Sequence, residues 1–243
     1  MTLGDFSKQA TAYAARPSYP AALVDRLVAR VGVGPGDAVA DLGAGTGIFT
    51  ALLADRGLQV IAIEPGAAMR AQALPAPRVT WQAGSFEEPG LADGAVRWIT
   101  AAQAFHWADP PRALPALARA LADGGHLTCL WNNRCNDDSE LLRAVMAAVR
   151  ARVPGFDERY RERDWATVIA GDWFEATAID EARHTIVMTR DRFRSLWRSH
   201  NLLAETAGPD LPAVLTAIDD LLVGHETVDV PYLTRAWTAR VRR

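Results

Sequence analysis

The stretch from Val39 to Gly47, VADLGAGTG, combines a carboxylate with three glycines at alternate positions. Gly43, Gly45 and Gly47 permit backbone φ angles above zero and a close approach of ligand that a Cβ atom would block. Asp41 precedes the glycines, and a carboxylate in this place repels phosphate and attracts an ammonium or sulfonium group. The residue types and their spacing therefore favour a turn that binds a cationic ligand.

A dinucleotide-binding turn would instead carry the glycine pattern GxGxxG. The third glycine of that pattern is missing, because the two positions where it would fall hold Ile48 and Thr50. A second apolar run, Val60 to Ile63, ends in Glu64. An acid at the end of this strand can accept hydrogen bonds from both hydroxyls of a ribose. The pair of acids is a more specific signal than the glycines alone.

Apolar runs and helical patterns alternate along the chain, which predicts a parallel, doubly wound α/β sheet. Strands are predicted over 37–42, 59–64, 78–82, 95–102, 126–131, 176–188 and 227–241. Helices are predicted over 5–16, 21–31, 46–55 and 66–73, from Asp109 to Gly124, and in the patterns Leu142–Val149, Phe193–His200 and Leu211–Leu222. Asp109 followed by proline is a good N-cap for its helix.

Chemically useful side chains fall at the carboxyl ends of several predicted strands. In open α/β sheets, ligands bind beyond these ends, where the strand order reverses. Their common location is stronger evidence for a site than any one residue. The five side chains concerned are Asp41, Glu64, Ser85, Gln103 and His106.

His106 is the histidine that we predict to be catalytic. It follows a strand end, and the imidazole group titrates near neutral pH, as a general base requires. The alternative is that His106 only forms hydrogen bonds within the site or stacks on Trp107. His200 lies on the apolar face of a predicted helix, where a buried histidine with a structural role is the better interpretation.

Composition predicts one globular domain over residues 1–243, because 49% hydrophobic and 23% charged residues suffice for one large core. A net charge of −3 gives no electrostatic footprint for nucleic acid. The polar start of the chain and the absence of 18 consecutive apolar residues predict a cytoplasmic protein without a membrane partner. Cys129 and Cys135 lack metal-ligand spacing, so we expect free thiols and no metal.

The acid followed by xGxGxG resembles the first motif of the class I S-adenosylmethionine-dependent methyltransferases. Other segments are similar to a subgroup of that family, the trans-aconitate methyltransferase-like enzymes of methyltransferase type 11. The resemblance covers most of the chain, and residues 6–131 most specifically. The matching positions are Phe6, Tyr13, Arg16-Pro17, Tyr19-Pro20, Ala104 to Trp107, and the run from Val228 to Arg240.

The resemblance implies a Rossmann-like methyltransferase fold, with a seven-stranded, mostly parallel sheet whose last strand is antiparallel. It also implies N-terminal lid helices over 1–31 and a cofactor-binding core over 37–131. A helical cap that binds the substrate is expected over 137–173 and 190–223, and the last strand over 227–241.

S-adenosylmethionine is the cofactor that the resemblance implies, with a small molecule as the methyl acceptor. The residues expected to bind the cofactor are Tyr13, Arg16, Asp41, Gly43, Ala44, Gly45, Thr46, Gly47, Glu64, Pro65, Met69, Gly84, Ser85, Phe86 and Gln103. Those expected to bind the acceptor are Tyr19, His106, Trp107, Trp131, Asn132 and Arg134.

Several of these side chains have a second interpretation. Tyr13, Tyr19 and Met69 are also typical packing residues. Arg16 and Arg134 suit an acidic acceptor, yet each is also an ordinary surface arginine. In the family, the loop that corresponds to Gly84 to Glu87 faces adenine, but a solvated surface charge is the more common role for a residue such as Glu87.

Methyl transfer to oxygen of a carboxylic acid or of a hydroxylated natural product is the predicted activity. Positioning alone can supply roughly 7 to 11 kcal/mol of the barrier, so a base is optional. A carboxylate acceptor is already ionised at neutral pH. The alternatives are a non-methylating reaction that uses the same cofactor and a nicotinamide-dependent oxidoreductase. The residues leave monomer and homodimer both open.

Overall fold

The computed structural model describes residues 16–73, 75–157 and 163–243, without the side chain of Asn201. The helix predicted over 5–16 and the proposed ligand-binding residue Tyr13 therefore lie outside the described residues.

Within this part of the chain, seven strands form one sheet. They are β1 (Ala38–Leu42), β2 (Gln59–Ile63), β3 (Val79–Gln82), β4 (Val96–Ala102), β5 (Leu121–Arg134), β6 (Ala178–Thr189) and β7 (Thr227–Arg240). The helices are α1 (Ala21–Val31), α2 (Ile48–Ala54), α3 (Ala67–Ala71), α4 (Pro110–Ala120), α5 (Glu140–Arg152), α6 (Trp165–Ile169), α7 (Arg190–Arg198), α8 (Asn201–Ala207) and α9 (Leu211–Leu221).

The strand order is β3-β2-β1-β4-β5-β7-β6. Within this sheet β7 runs antiparallel to both of its neighbours, whereas the pairs from β3 to β5 are parallel. The chain builds β1, β2 and β3 outward in one direction and then returns to place β4 on the other side of β1. This reversal creates a crevice at the carboxyl ends of β1 and β4. The predicted doubly wound fold with an antiparallel last strand is confirmed.

Two apolar layers cover the two faces of the sheet, because successive strand residues point to opposite sides. On β5, Leu130 packs with α1 and α2 on one face, in a layer that contains Leu27 and Trp98. Its neighbour Trp131 belongs to the opposite layer, which includes Phe105. The central strands are buried on both faces, so they read as apolar runs.

A third apolar cluster lies where α5, α7 and α9 pack against β6 and β7. Val149, Phe193 and Ile218 are buried there with Met188 and Val230 from the two strands. The helical patterns that predicted α5, α7 and α9 are confirmed, and they form a separate layer beside the end of the sheet.

The boundary between α4 and β5 differs from the prediction. The helix ends at Ala120 rather than at Gly124, because Leu121 is extended (φ −77°, ψ 140°) and pairs with Val96. The next pair is Trp98 with His126, so residues 122–125 form a bulge in β5. The side chain of Asp109 makes no capping hydrogen bond, and the N-cap prediction is wrong in that respect.

Helix α8 was not predicted, and His200 stands just before it rather than on a helix face. The Nδ1 atom of His200 accepts a hydrogen bond from the N–H of Leu203 at 3.3 Å, and thereby caps α8. Its ring stacks on Trp197 with 6.0 Å between ring centroids. The histidine is structural, as expected, but at a helix terminus. None of the described helices is both long enough and apolar enough to cross a membrane.

Candidate functional site

A cleft opens at the carboxyl ends of β1, β2 and β4, at the point where the strand order reverses. The cleft is open to solvent, and its wall is built from residues of the glycine turn, of the strand ends and of the N-terminal segment 16–19. Predicted cofactor residues on its wall are Arg16, Asp41, Gly43, Ala44, Gly45, Thr46, Glu64, Pro65, Met69, Ser85, Phe86 and Gln103. Predicted acceptor residues on the wall are Tyr19 and Trp107.

The glycine turn after β1 is shaped by left-handed backbone and by close neighbours. Gly43 has φ 65°, and a Cβ atom there would lie 2.5 Å from the Cβ of Ala104. Gly47 has φ 91°, and its Cβ would lie 3.0 Å from the ring of Trp81. Gly47 therefore shapes the turn without lining the cleft.

Asp41 is a buried carboxylate, 1% exposed, whose side chain borders the cleft. Its Oδ2 accepts a hydrogen bond from Thr50 Oγ1 at 2.6 Å, and its Oδ1 accepts one from Thr100 Oγ1 at 2.8 Å. Burial raises the pKa of the Asp41 carboxyl to about 6, although the two threonine hydroxyls act to lower it. At neutral pH the group is mainly ionised, and it supplies negative charge to the cleft.

Glu64 connects the end of β2 to the glycine turn. Its Oε2 accepts a hydrogen bond from the N–H of Gly45 at 3.0 Å, and its Oε1 accepts one from the N–H of Gly66 at 2.8 Å. Burial raises the pKa of this carboxyl, and the hydrogen bonds from Gly66 and Gly45 offset that effect only in part. Each carboxylate oxygen keeps a further lone pair with which to accept a ribose hydroxyl.

Gln103, at the end of β4, has φ 57°, a left-handed conformation that is uncommon for a residue with a side chain. Its N–H donates to the carbonyl of Leu130 at 2.8 Å, and its Nε2 donates to the carbonyl of Asn132 at 3.1 Å. Both partners belong to β5. The conformation is thus held by the neighbouring strand and places Gln103 on the cleft wall.

The loop after β3 forms another part of the wall. Phe86 is 7% exposed, and its ring packs edge-on against Phe105 with 5.3 Å between centroids. Gly84 does not line the cleft. It packs against β2, where an added Cβ would lie 2.8 Å from the side chain of Ile63. Ser85 closes the loop: its N–H donates to the carbonyl of Glu88.

Glu87 accepts a hydrogen bond at the start of α4, a structural role that its interpretation as a solvated surface charge did not include. Its Oε1 accepts a hydrogen bond from the N–H of Asp109 at 2.8 Å, at the start of α4, and its side chain lines the cleft. Burial raises the pKa of the Glu87 carboxyl, but the hydrogen bonds that it accepts, first that from Asp109, outweigh burial. The pKa therefore lies below its ordinary value.

A short 3-10 helix, Phe105–Trp107, follows β4, and its three aromatic rings lie in different environments. Phe105 is fully buried in the core, and Trp107 lines the cleft. The ring of His106 lies 4.9 Å from that of Trp107 and 6.5 Å from that of Trp131. His106 is thus next to a wall residue without lining the cleft, and its catalytic role stays a prediction.

Residues 16–20, which we call the N-terminal strap, contribute Arg16, Pro17 and Tyr19 to the wall of the cleft. Tyr19 packs edge-on against Phe49 of α2, with ring centroids 5.0 Å apart. The Nη2 atom of Arg16 donates to the carbonyl of Ser199 at 3.1 Å. Arg192 Nη2 donates to the carbonyl of Arg16 at 3.4 Å. The strap therefore joins the cleft to α7.

Three of the predicted acceptor residues lie on β5, away from the cleft wall that the structure describes. Trp131 is 0% exposed and stacks on Trp165, with centroids 4.2 Å apart and an interplanar angle of 8°. Asn132 is 3% exposed. The guanidinium of Arg134 lies 4.1 Å from the ring centroid of Trp197. These contacts place the three side chains in packing or tethering positions, and their contact with an acceptor stays a prediction.

Sequence reasoning had not assigned some residues of the wall to a ligand. Ile48 and Phe49 begin α2 directly after the glycines, and Ala102 precedes Gln103 at the end of β4. Their position next to predicted ligand residues was the available signal. The unassigned wall residues are Pro17, Ile48, Phe49, Glu87, Ala102 and Ala104. Among the described residues, no cluster of three histidine, cysteine or acidic residues could hold a metal ion.

The sheet order and the acid-bordered glycine turn define the class of methyltransferases with a Rossmann-like fold. A family profile described as "Methyltransferase domain" matches residues 40–129. An uncharacterized methyltransferase of Mycobacterium tuberculosis is 33% identical over 222 residues, which cover 84% of this chain and 89% of that relative. The chain belongs to this methyltransferase family.

Solved structures agree with this assignment. A candidate type II methyltransferase from Anaeromyxobacter dehalogenans is 25% identical, with a TM-score of 0.66, and the match covers 93% of this chain and 97% of that one. A candidate methyltransferase from an antibiotic biosynthesis pathway of Anabaena variabilis shares the fold at 18% identity, with a TM-score of 0.57 and coverages of 88% and 96%.

S-adenosylmethionine is the cofactor of this enzyme, and the cleft fits it. The buried carboxylate of Asp41 supplies the negative charge that a sulfonium cofactor needs. Glu64 has lone pairs for the ribose, and Met69 and Phe86 offer apolar surface for adenine. The turn lacks the GxGxxG pattern that a pyrophosphate would require.

Proposed function

We propose that the enzyme methylates an oxygen atom of a small molecule, with a carboxylate as the preferred acceptor. One observation supports a carboxylate. The described wall of the cleft carries a cationic side chain, Arg16, but no histidine, lysine or cysteine that would deprotonate an acceptor. Asp41 and Glu64 are assigned to the cofactor, and the lowered pKa of Glu87 makes it a weak base. A carboxylate needs no base at neutral pH.

Bound S-adenosylmethionine supplies an electrophilic methyl group on a positively charged sulfur. In the proposed reaction, a carboxylate oxygen forms a bond to the methyl carbon while the carbon–sulfur bond breaks, and sulfur keeps the electron pair. The protein contributes by position rather than by proton transfer. Arg16 orients the acidic acceptor, Asp41 holds the cationic end of the cofactor, and Tyr19 and Trp107 exclude water.

A hydroxylated acceptor is the second candidate. Such an acceptor loses a proton during the reaction, and His106 is the base that we propose for it. This proposal is supported by the packing of His106 on Trp107, which itself lines the cleft. The two candidates differ in their dependence on His106, because methylation of a carboxylate does not require it.

The wider assignment is also a proposal. We place the enzyme in the trans-aconitate methyltransferase-like subgroup, acting in the cytoplasm on a small molecule, without a nucleic-acid or membrane partner, as a monomer or homodimer. The subgroup motifs at Arg16-Pro17, Tyr19-Pro20 and Ala104 to Trp107 support it. A small carboxylic acid follows from that placement.

Transfer of a labelled methyl group tests the acceptor class. The protein is incubated with methyl-labelled S-adenosylmethionine and matched panels of dicarboxylic acids, phenols and amines. Label should appear in base-labile methyl esters of the acids. Label in phenols that disappears in the variant His106→Gln would favour the second candidate. Tight cofactor binding with no label in any product would overturn the proposal in favour of a non-methylating reaction.

A further inference from the structure

Asn132 connects two segments that line the cofactor cleft to the last strand of the sheet, and its own side chain is buried. Its Nδ2 donates a hydrogen bond to the carbonyl of Ser18 at 3.2 Å. Its Oδ1 accepts one from Thr234 Oγ1 at 2.9 Å. Its backbone carbonyl accepts one from Gln103 Nε2 at 3.1 Å. A single residue thus joins the N-terminal strap, the last strand and the end of β4.

The chemistry of the partners fixes the orientation of the Asn132 amide. The carbonyl of Ser18 can only accept, so the NH2 group must face it, and the amide oxygen then faces the hydroxyl of Thr234. Thr234 is fully buried on β7 and is directly opposite Asn132 in the antiparallel pair. The hydrogen bond to Ser18 therefore attaches the strap to the rigid interior of the sheet.

The attachment point lies within the part of the strap that lines the cleft. Arg16, Pro17 and Tyr19, on either side of Ser18, all line the wall. The hydrogen bonds of Arg16 with Ser199 and Arg192 tie the strap to α7 and its carboxyl end. The hydrogen bond from Asn132 ties the strap to β5 of the sheet. Asp41 belongs to β1 of the same sheet, and Gln103 directly follows β4.

We propose that Asn132 is a positioning residue, which holds the strap across the cleft and thereby sets how fast the spent cofactor leaves. This inference rests on the binding of S-adenosylmethionine in the cleft. The spent cofactor is S-adenosylhomocysteine, which lacks the methyl group and the sulfonium charge. Because the strap contributes three residues to the cleft wall, the proposal is that the ligand leaves as the strap separates from the sheet, and the hydrogen bond between Asn132 and Ser18 opposes that separation.

The variant Asn132→Asp removes the donor at nearly constant shape. A carboxylate oxygen would then face the carbonyl of Ser18, while the other oxygen still accepts from Thr234. Asn132→Ala removes the donor without adding repulsion. Thr238→Val is the matched control, because it breaks a buried hydroxyl pair between the same two strands, Thr128 with Thr238 at 2.9 Å, which does not reach the strap.

The experiment measures the dissociation rate of S-adenosylhomocysteine by stopped-flow displacement, with thermal unfolding of each variant in parallel. Asn132→Asp should release the ligand about tenfold faster than wild type, and Asn132→Ala about threefold faster, since a lost hydrogen bond costs roughly 0.5 to 1.5 kcal/mol. Thr238→Val should release it at the wild-type rate even if it unfolds earlier. If Asn132→Asp does not fold, the release rate of Asn132→Ala tests the inference on its own.

Equal release rates in the Asn132 variants and in Thr238→Val would overturn the inference, because Asn132 would then contribute to stability alone. Failure of the wild-type protein to bind S-adenosylhomocysteine at all is a different result. It would contradict the assignment of the cleft to this cofactor, and the proposed role of Asn132 would fail with it.

Discussion

The carboxylate of Glu64 accepts a hydrogen bond from the backbone N–H of Gly45 at 3.0 Å, so the acid that ends β2 holds the glycine turn that follows β1. The same side chain accepts a second bond from Gly66. Two adjacent strands are therefore connected at the mouth of the cleft by one buried carboxylate. This arrangement gives Glu64 a part in shaping the turn, in addition to its predicted role in binding a ribose.

Glu64→Gln should weaken both the fold and cofactor binding. The amide can accept from one backbone N–H, but its NH2 group would face the other donor, which leaves a buried N–H without a partner. We expect a loss of about 1 to 3 kcal/mol in the free energy of unfolding and a similar loss in binding. Urea unfolding measures the free energy of unfolding, and calorimetric titration with S-adenosylmethionine measures the free energy of binding. Wild-type values in both would mean that the carboxylate does not hold the turn.

Asp41→Asn should change how stability depends on pH. Because the pKa of Asp41 is about 6 in the folded state, against an ordinary value of 3.8, the folded protein binds a proton more tightly than the unfolded chain. The contribution of Asp41 to the free energy of unfolding is therefore most favourable below about pH 4. Roughly 3 kcal/mol of it is lost as pH rises to about 6. Urea unfolding of wild type from pH 4 to 7 should show this loss relative to Asp41→Asn. Parallel curves would contradict the raised pKa.

The same variant should bind the cofactor more weakly at neutral pH. The ionised carboxylate attracts the positive charge of S-adenosylmethionine, and the neutral amide does not. Wild-type affinity should fall toward that of the variant as pH is lowered from 7.5 to 5.5. Equal affinities at pH 7.5 would place the cationic group elsewhere.

His106→Ala should lower turnover more than cofactor affinity if the imidazole reaches the acceptor. The expected reduction is about 10²- to 10⁴-fold in kcat for a hydroxylated acceptor, the usual contribution of a general base. For a carboxylate acceptor, kcat should change little. Steady-state kinetics with the identified acceptor and a direct titration of the cofactor separate the two effects. A normal rate with a hydroxylated acceptor would leave His106 with a structural role only.

Gly43→Ala should be more destabilising than Gly36→Ala. Both glycines have positive φ, 65° and 92°, so both substitutions carry the same kind of backbone penalty. At Gly36 the added Cβ has nothing within 4 Å, whereas at Gly43 it would lie 2.5 Å from Ala104. We expect an additional cost of about 1 to 3 kcal/mol at Gly43. Equal unfolding free energies would show that Ala104 moves aside freely.

The sequence alone was sufficient for the order of strands and helices around β1, because these signals are local. An apolar strand, glycines and an amphipathic helix lie within about 20 residues of one another, and the ligand residues Asp41 and Glu64 end adjacent strands. Both acids were therefore placed at the cleft before the structure was known. The boundary of β5 was missed because the bulge over residues 122–125 depends on pairing with β4.

The roles of the β5 residues depend on partners far away in the chain. Asn132 bonds to Ser18 and Thr234, which are 114 and 102 residues distant. Trp131 is covered by Trp165, a residue of a segment without clear periodicity. No spacing rule reveals such contacts. The position of these residues at a strand end beside the cleft predicts contact with a ligand, whereas their packing and hydrogen bonds within the protein become visible only in the structure.

The position of β7 between β5 and β6 has a consequence for synthesis on the ribosome. Strand β7 joins the parallel part of the sheet to β6. Because β7 follows both β5 and β6 in the chain, neither strand can pair with it until it has been synthesised. In nascent chains that have not yet exposed residues 227–240, β5 has one unpaired edge and β6 has no partner in the described sheet, and such edges are open to association with other chains. Burial of these edges thus depends on the synthesis of β7.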